Sequence, residues 1–111
     1  MSTRARIGVQ LENGKTKSVY VWRDGMPDNL GEMLAEHYAT PEKAAELVGR
    51  GNIIDVETTF AACNFEQESA NIDTAPKTHM TTTAYLREPG SDIRYKYIFR
   101  NGAWGYWEVG E

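Results

Sequence analysis

The sequence predicts an α+β domain: an antiparallel sheet built from N- and C-terminal hairpins, with two short helices packed on one face. Three observations carry this. Two Asn-Gly pairs, Asn13-Gly14 and Asn101-Gly102, sit between alternating β-branched and aromatic runs, and Asn-Gly supplies the positive φ angles of a tight hairpin turn. Between them lie two segments with apolar residues at helical spacing. The 111 residues suit one domain with one modest core.

The first hairpin is expected over residues 4–22. Pairing outward from a two-residue turn sets Leu11 opposite Thr16, Val9 opposite Ser18, Ile7 opposite Tyr20 and Ala5 opposite Trp22 on an apolar face. Arg6, Gln10, Glu12, Lys15 and Lys17 take the other face, softened by Val19 and Val21. A helix over 29–38 follows, because Leu30, Met33, Leu34, His37 and Tyr38 recur at i, i+3, i+4, i+7 and i+8; Asp28 or Asn29 can cap it. The second helix, 41–50, has Thr40 as N-cap, Pro41 at the first helical position, a buried stripe of Ala44, Leu47 and Val48, and Gly49 or Gly51 to end it. A loop-rich middle spans 52–78. Ile53, Ile54 and Val56 suit a short strand there, Phe60, Cys63 and Phe65 suit burial, and Glu66 to Lys77 is polar. Strands fill 80–109: a β-branched run from Thr81 to Leu86, the turn R-E-P-G-S-D, and a last hairpin about Asn101-Gly102. That hairpin pairs Phe99 with Trp104, Tyr97 with Tyr106, Tyr95 with Glu108, Ile98 with Gly105, Lys96 with Trp107 and Arg94 with Val109. Lys96 would lie over Trp107 as a cation–π pair.

Composition excludes several classes. A net charge of −4 is wrong for a protein that coats nucleic acid nonspecifically, which needs a basic surface. No apolar run approaches the ~18 residues of a membrane span. The N-terminus M-S-T-R-A-R-I-G lacks the apolar stretch of a secretory signal, and a single cysteine, Cys63, suits a reducing compartment; the expected location is cytoplasmic.

The run R-I-G-V-Q-L-E-N-G-K-T-K-S-V-Y, then D-G-M-P, then the helix ending L-A-E-H-Y, resembles a family of small bacteriophage- and prophage-encoded proteins. Tyr85, Arg87, Glu88 and Gly90 match that family's Y-x-R-D/E-x-G turn, and Tyr95, Tyr97, Phe99, Gly102 and Trp104 match its C-terminal hairpin. The likeness covers about three quarters of the chain. Arg23 stands where the pattern has Trp before Asp-Gly, Trp22 lying one position earlier, and the segment before the last hairpin is short where other members place a helix. The resemblance implies an accessory protein acting in the host cytoplasm on the host or its defences, with no activity to carry over.

The candidate binding residues are Trp22, Arg23, Asp24, Arg87, Arg94, Lys96, Arg100 and Trp107. The knuckle Trp22-Arg23-Asp24-Gly25 reads first as a structural turn, with Trp22 in the core, Asp24 capping backbone N–H groups and Gly25 at positive φ. Its functional alternative is an exposed Arg23–Asp24 pair offered to a partner, since Trp and Arg dominate interface hot spots. Arg87, Arg94 and Arg100 beside aromatic residues could line a nucleotide groove. His37 on an apolar stripe suits a satisfied core histidine, and His79 lies in a polar stretch. Neither forms a recognisable metal pattern with Cys63, Asp73 or Glu36, so no metal and no cofactor is expected. No catalytic residue is assigned. Three Trp and six Tyr exceed what one small core needs, so some should face a partner. These observations favour inhibition of a host protein by direct binding, ahead of sequestering a small signalling nucleotide, ahead of a small hydrolase using His37 or His79; a homo-oligomer would favour a nucleotide site between subunits, and a monomer that gains a specific partner would favour inhibition.

Overall fold

The computed structural model describes residues 3–67, 74–88 and 92–109. The strands are β1 (Ala5–Gln10), β2 (Thr16–Val21), β3 (Ile53–Asp55), β4 (Asn64–Phe65), β5 (Lys77–His79), β6 (Tyr95–Arg100) and β7 (Ala103–Glu108), and the helices α1 (Glu32–His37), α2 (Pro41–Gly49) and α3 (Thr82–Arg87). The fold is α+β as expected, around one seven-stranded sheet in the order β4-β3-β2-β1-β6-β7, with β5 also pairing with β2.

The sheet is mixed rather than wholly antiparallel. The two hairpins join through β1 and β6, which run parallel with Ile7 beside Tyr97 and Val9 beside Phe99. Val21 pairs with Ile53 in parallel as well. One face carries Ala5, Ile7, Val9, Val19, Val21, Tyr95, Tyr97 and Phe99, packed under Leu30, Leu34 and Tyr38 and under Ala44, Leu47 and Val48 of α2. Both expected helices therefore do lie on one face.

The last hairpin has the predicted register, from Arg100 opposite Ala103 to Tyr95 opposite Glu108. Asn101 at φ 54° and Gly102 at φ 78° make the turn that Asn-Gly favours. The first hairpin departs from expectation by one residue: Ala5 faces Val21, Ile7 faces Val19 and Gln10 faces Thr16. Its loop is longer than two residues. The Gly14 N–H donates to Leu11 O at 3.0 Å, the Leu11 N–H donates to Lys15 O at 2.7 Å, and Gly14 alone takes the left-handed conformation, at φ 85°. This is a type I turn closed by a glycine bulge. Because side chains alternate along a strand, the offset sends Val19 and Val21 into the core and Ser18 and Tyr20 to the opposite face.

α2 starts as predicted, with Thr40 accepting from the Lys43 N–H at 3.2 Å. The first helix does not begin with a side-chain cap at Asp28 or Asn29; a π turn over Pro27–Gly31 leads into α1. Residues 82–87 are helix, not strand. Thr81 accepts from the Ala84 N–H at 3.0 Å as N-cap, and burying Tyr85 and Thr82 against the sheet outweighs the β preference of the threonine run. α3 thus covers the second face. Gly8 makes room for it: a Cβ there would stand 3.0 Å from the Tyr85 ring and from Thr16 Cγ2. Residues 68–73, with the candidate ligand Asp73, and residues 89–91 of the R-E-P-G-S-D turn lie outside the described residues. No helix of the described residues is long and apolar enough to cross a membrane.

Candidate functional site

Under α3 the structure gathers a polar chain from distant segments. The Ser18 Oγ lies 3.1 Å from the Arg6 Nε and 2.8 Å from the His79 Nε2. The His79 Nδ1 lies 2.8 Å from a Glu88 carboxylate oxygen, and Lys77 pairs with the other oxygen. Lys77 holds the Glu88 pKa below its ordinary value, helped by His79, so Glu88 accepts. Burial holds the His79 pKa below 6.5, opposed by Glu88, so the ring is neutral near pH 7. One proton order satisfies every atom: Arg6 donates to Ser18, Ser18 donates to His79 Nε2, and His79 Nδ1–H donates to Glu88. Protonating His79 would turn Nε2 into a second donor aimed at Ser18 and leave the buried hydroxyl hydrogen without an acceptor.

This connectivity matches a nucleophile–base–carboxylate triad. Its surroundings do not, because Ser18 has no exposed surface and its oxygen already accepts from Arg6. Lys96 completes the cluster. Its ammonium donates to the Tyr85 carbonyl at 2.7 Å and to the Glu88 carbonyl, capping the end of α3, and stands 5.5 Å from the Tyr85 ring. Lys96 is only 2% exposed, and burial lowers its pKa, against the pull of Glu88. The expected cation–π pairing with Trp107 is therefore replaced by a buried one with Tyr85, because α3 covers that part of the sheet.

The second feature is the free edge of β7. The Val109 N–H donates to Arg94 O at 2.9 Å. Hydrogen-bonded pairs alternate along an antiparallel ladder, so Ala103, Gly105 and Trp107 turn their backbone groups toward β6. Trp104, Tyr106 and Glu108 turn theirs outward, where no described strand lies. Tyr106 is 58% and Trp107 57% exposed. Beside them Leu86, Ile98, Arg100, Gly105 and Trp107 frame an open depression of about 290 Å³. The strand has no proline, no lysine and no bulge, the usual protections of an edge.

Of the sequence candidates, Arg100 and Trp107 meet at this depression. Arg87 is exposed at the end of α3. Arg94 lies at the far end of β6 from Arg100, with its Nε 3.5 Å from Glu108, so the three arginines do not line one groove. The knuckle lies elsewhere. Trp22 is not in the core as expected: it is half-buried outside the core cluster, edge-on to Tyr20 at 5.0 Å and under the Arg4 guanidinium at 4.9 Å. Asp24, not Gly25, takes positive φ, at 57°. Arg23 is directed to Asp55, 3.7 Å away, rather than to Asp24. Gly25 is enclosed: its carbonyl accepts from the Tyr97 hydroxyl at 2.7 Å, and a Cβ there would stand 2.8 Å from Ala5 Cβ. The knuckle is thus tied into the core as a corner. Arg23 also borders an open groove beside β3 and β4, where Arg50 covers the Phe65 ring at 4.4 Å and the Glu66 carboxylate accepts from Asn52.

His37 is half-buried, with Nε2 3.6 Å from the Glu36 carboxylate. Cys63 is buried between the Glu57 N–H and the Tyr38 hydroxyl. Among the described residues, no group of three or more His, Cys, Asp or Glu could hold a metal ion. The sequence reading missed Ser18 and Glu88 as partners of His79, and Arg6 as the donor to Ser18; only the polar residues Thr16 and Ser18 inside a strand hinted at a second covered face. Set against protein-family models, curated proteins and solved structures, the chain matches none.

Proposed function

We propose that the domain acts by binding a protein, through the open edge of β7 and the aromatic surface beside it. The observation that carries this is the outward backbone of Trp104, Tyr106 and Glu108 next to the exposed rings of Tyr106 and Trp107. A partner strand laid along β7 gains main-chain hydrogen bonds from the edge and specificity from the hollow over Gly105. The resemblance to phage-encoded proteins suggests the setting: a host protein, such as a defence component, held inactive by contact alone. The test is capture from host lysate with zero-length cross-linking. The partner should cross-link within residues 103–108 and be lost in Trp107→Lys. Capture that is indifferent to this substitution would refute the proposal.

A second reading, a small hydrolase, draws on the Ser18–His79–Glu88 chain. It requires α3 to lift so that Ser18 meets a substrate. Labelling by a fluorophosphonate that disappears in both Ser18→Ala and His79→Gln would support it; no labelling of the native protein would remove it.

A further inference from the structure

We infer that β7 pairs with β7 of a second copy of this chain, in one particular register. The inference rests on the reading of β7 as a binding edge and names a second copy of the chain as its occupant when no host partner is bound. In antiparallel self-pairing about a two-fold axis normal to the sheet, facing residues must share a side of the sheet, so the register centres on a single residue. Centring on Tyr106 joins only residues whose backbone groups point outward: Tyr106 with its own copy, and Trp104 with the partner's Glu108, on both sides of the axis. Every outward donor and acceptor of Trp104, Tyr106 and Glu108 is then used. The intervening positions place each Trp107 opposite the partner's Gly105, at the non-hydrogen-bonded spacing where side chains come closest.

Gly105 is suited to this. Nothing lies within 4 Å of where its Cβ would be, and Leu86 and Ile98 wall the hollow above it. An aromatic ring laid across a glycine in the facing strand restores the packing the glycine lacks. Charge also fits. The only charge on β7 is Glu108, already 3.5 Å from Arg94 of the same chain, and it would face the partner's Trp104 rather than another carboxylate. Tyr106 and Trp107 of the two copies expose on the order of 500 Å² of aromatic surface, about a third of a standard interface, so the dimer should be reversible.

Sedimentation velocity tests this. The native chain is expected to be dimeric at about 200 µM and to dissociate on dilution through the micromolar range. Trp107→Lys should weaken the dimer at least about tenfold, because it replaces the ring and adds charge beside Arg100. Glu108→Pro should do the same by removing an outward N–H while sparing the bonds to β6. Met80→Lys, at a 72% exposed residue away from β7, should leave it unchanged. Circular dichroism establishes that each variant is folded. A native chain that stays monomeric, or a dimer indifferent to both β7 substitutions, would overturn the inference. If the chain is monomeric yet lysate capture still depends on Trp107, only the dimer falls; if it dimerises and capture ignores Trp107, only the wider reading falls.

Discussion

Replacing Ser18 by Ala removes the atom that links Arg6 to His79. The Arg6 guanidinium keeps its bond to the Ser18 carbonyl at 3.3 Å and is only part-buried, so water can serve its freed Nε–H. His79 has no such relief at 6% exposure, and its Nε2 is left without a donor. An unsatisfied buried group of this kind costs about 1–3 kcal/mol. Unfolding entropy of about 2.1 cal/mol/K per residue over 111 residues makes each kcal/mol worth about 4 °C in melting temperature. Ser18→Ala should therefore melt about 4–12 °C below the native protein at pH 7.5, read by circular dichroism. In a His79→Phe background the same change should cost clearly less, because the partner is already gone. A Ser18→Ala protein melting within about 2 °C of native, with no coupling to position 79, would refute the proton order deduced for the relay.

Acid should weaken the fold in two stages. The His79 pKa in the folded chain lies below 6.5, so the unfolded chain takes up that proton first, and stability falls as pH drops below 6.5 toward the folded value. The depressed Glu88 pKa adds a second loss below its ordinary 4.5. Urea titrations should show the upper step disappear in His79→Phe and persist in His37→Phe. Tyr85→Phe removes the hydroxyl that donates to Tyr97 O at 2.9 Å and should cost about 0.5–1.5 kcal/mol in the same assay. Gly25→Ala should cost about 1–3 kcal/mol, since Ala5 Cβ and the Thr3 carbonyl, at 2.8 and 2.9 Å, leave no space for a methyl group; a neutral effect would mean the knuckle is looser than it looks.

Much of the fold was legible where a local rule had no rival. Asn101-Gly102 set the last hairpin to the residue, and Thr40-Pro41 set the start of α2. The first Asn-Gly misled because a longer loop with its own glycine bulge competes with the two-residue turn, and nothing local decides between them. The threonines at 81–83 look like strand, but one of them caps a helix whose value lies in burying Tyr85 over Gly8, a contact between residues far apart in the chain. The relay was illegible for the same reason: Ser18, His79 and Glu88 have no spacing, only a shared place under α3. At the β7 edge, Lys96 opposite Trp107 and Ile98 opposite Gly105 were legible from the hairpin register alone. The burial of Lys96 was not, because the helix that buries it was read as strand.

Hydrogen exchange resolved to single amides tests the binding edge most directly. In dilute protein the amides of Gly105 and Trp107 should be protected by β6, while those of Trp104, Tyr106 and Glu108 exchange freely. Raising the protein concentration or adding a captured partner should slow those three alone. Uniform protection along β7 in dilute protein, or three amides that stay fast in every complex, would contradict the account.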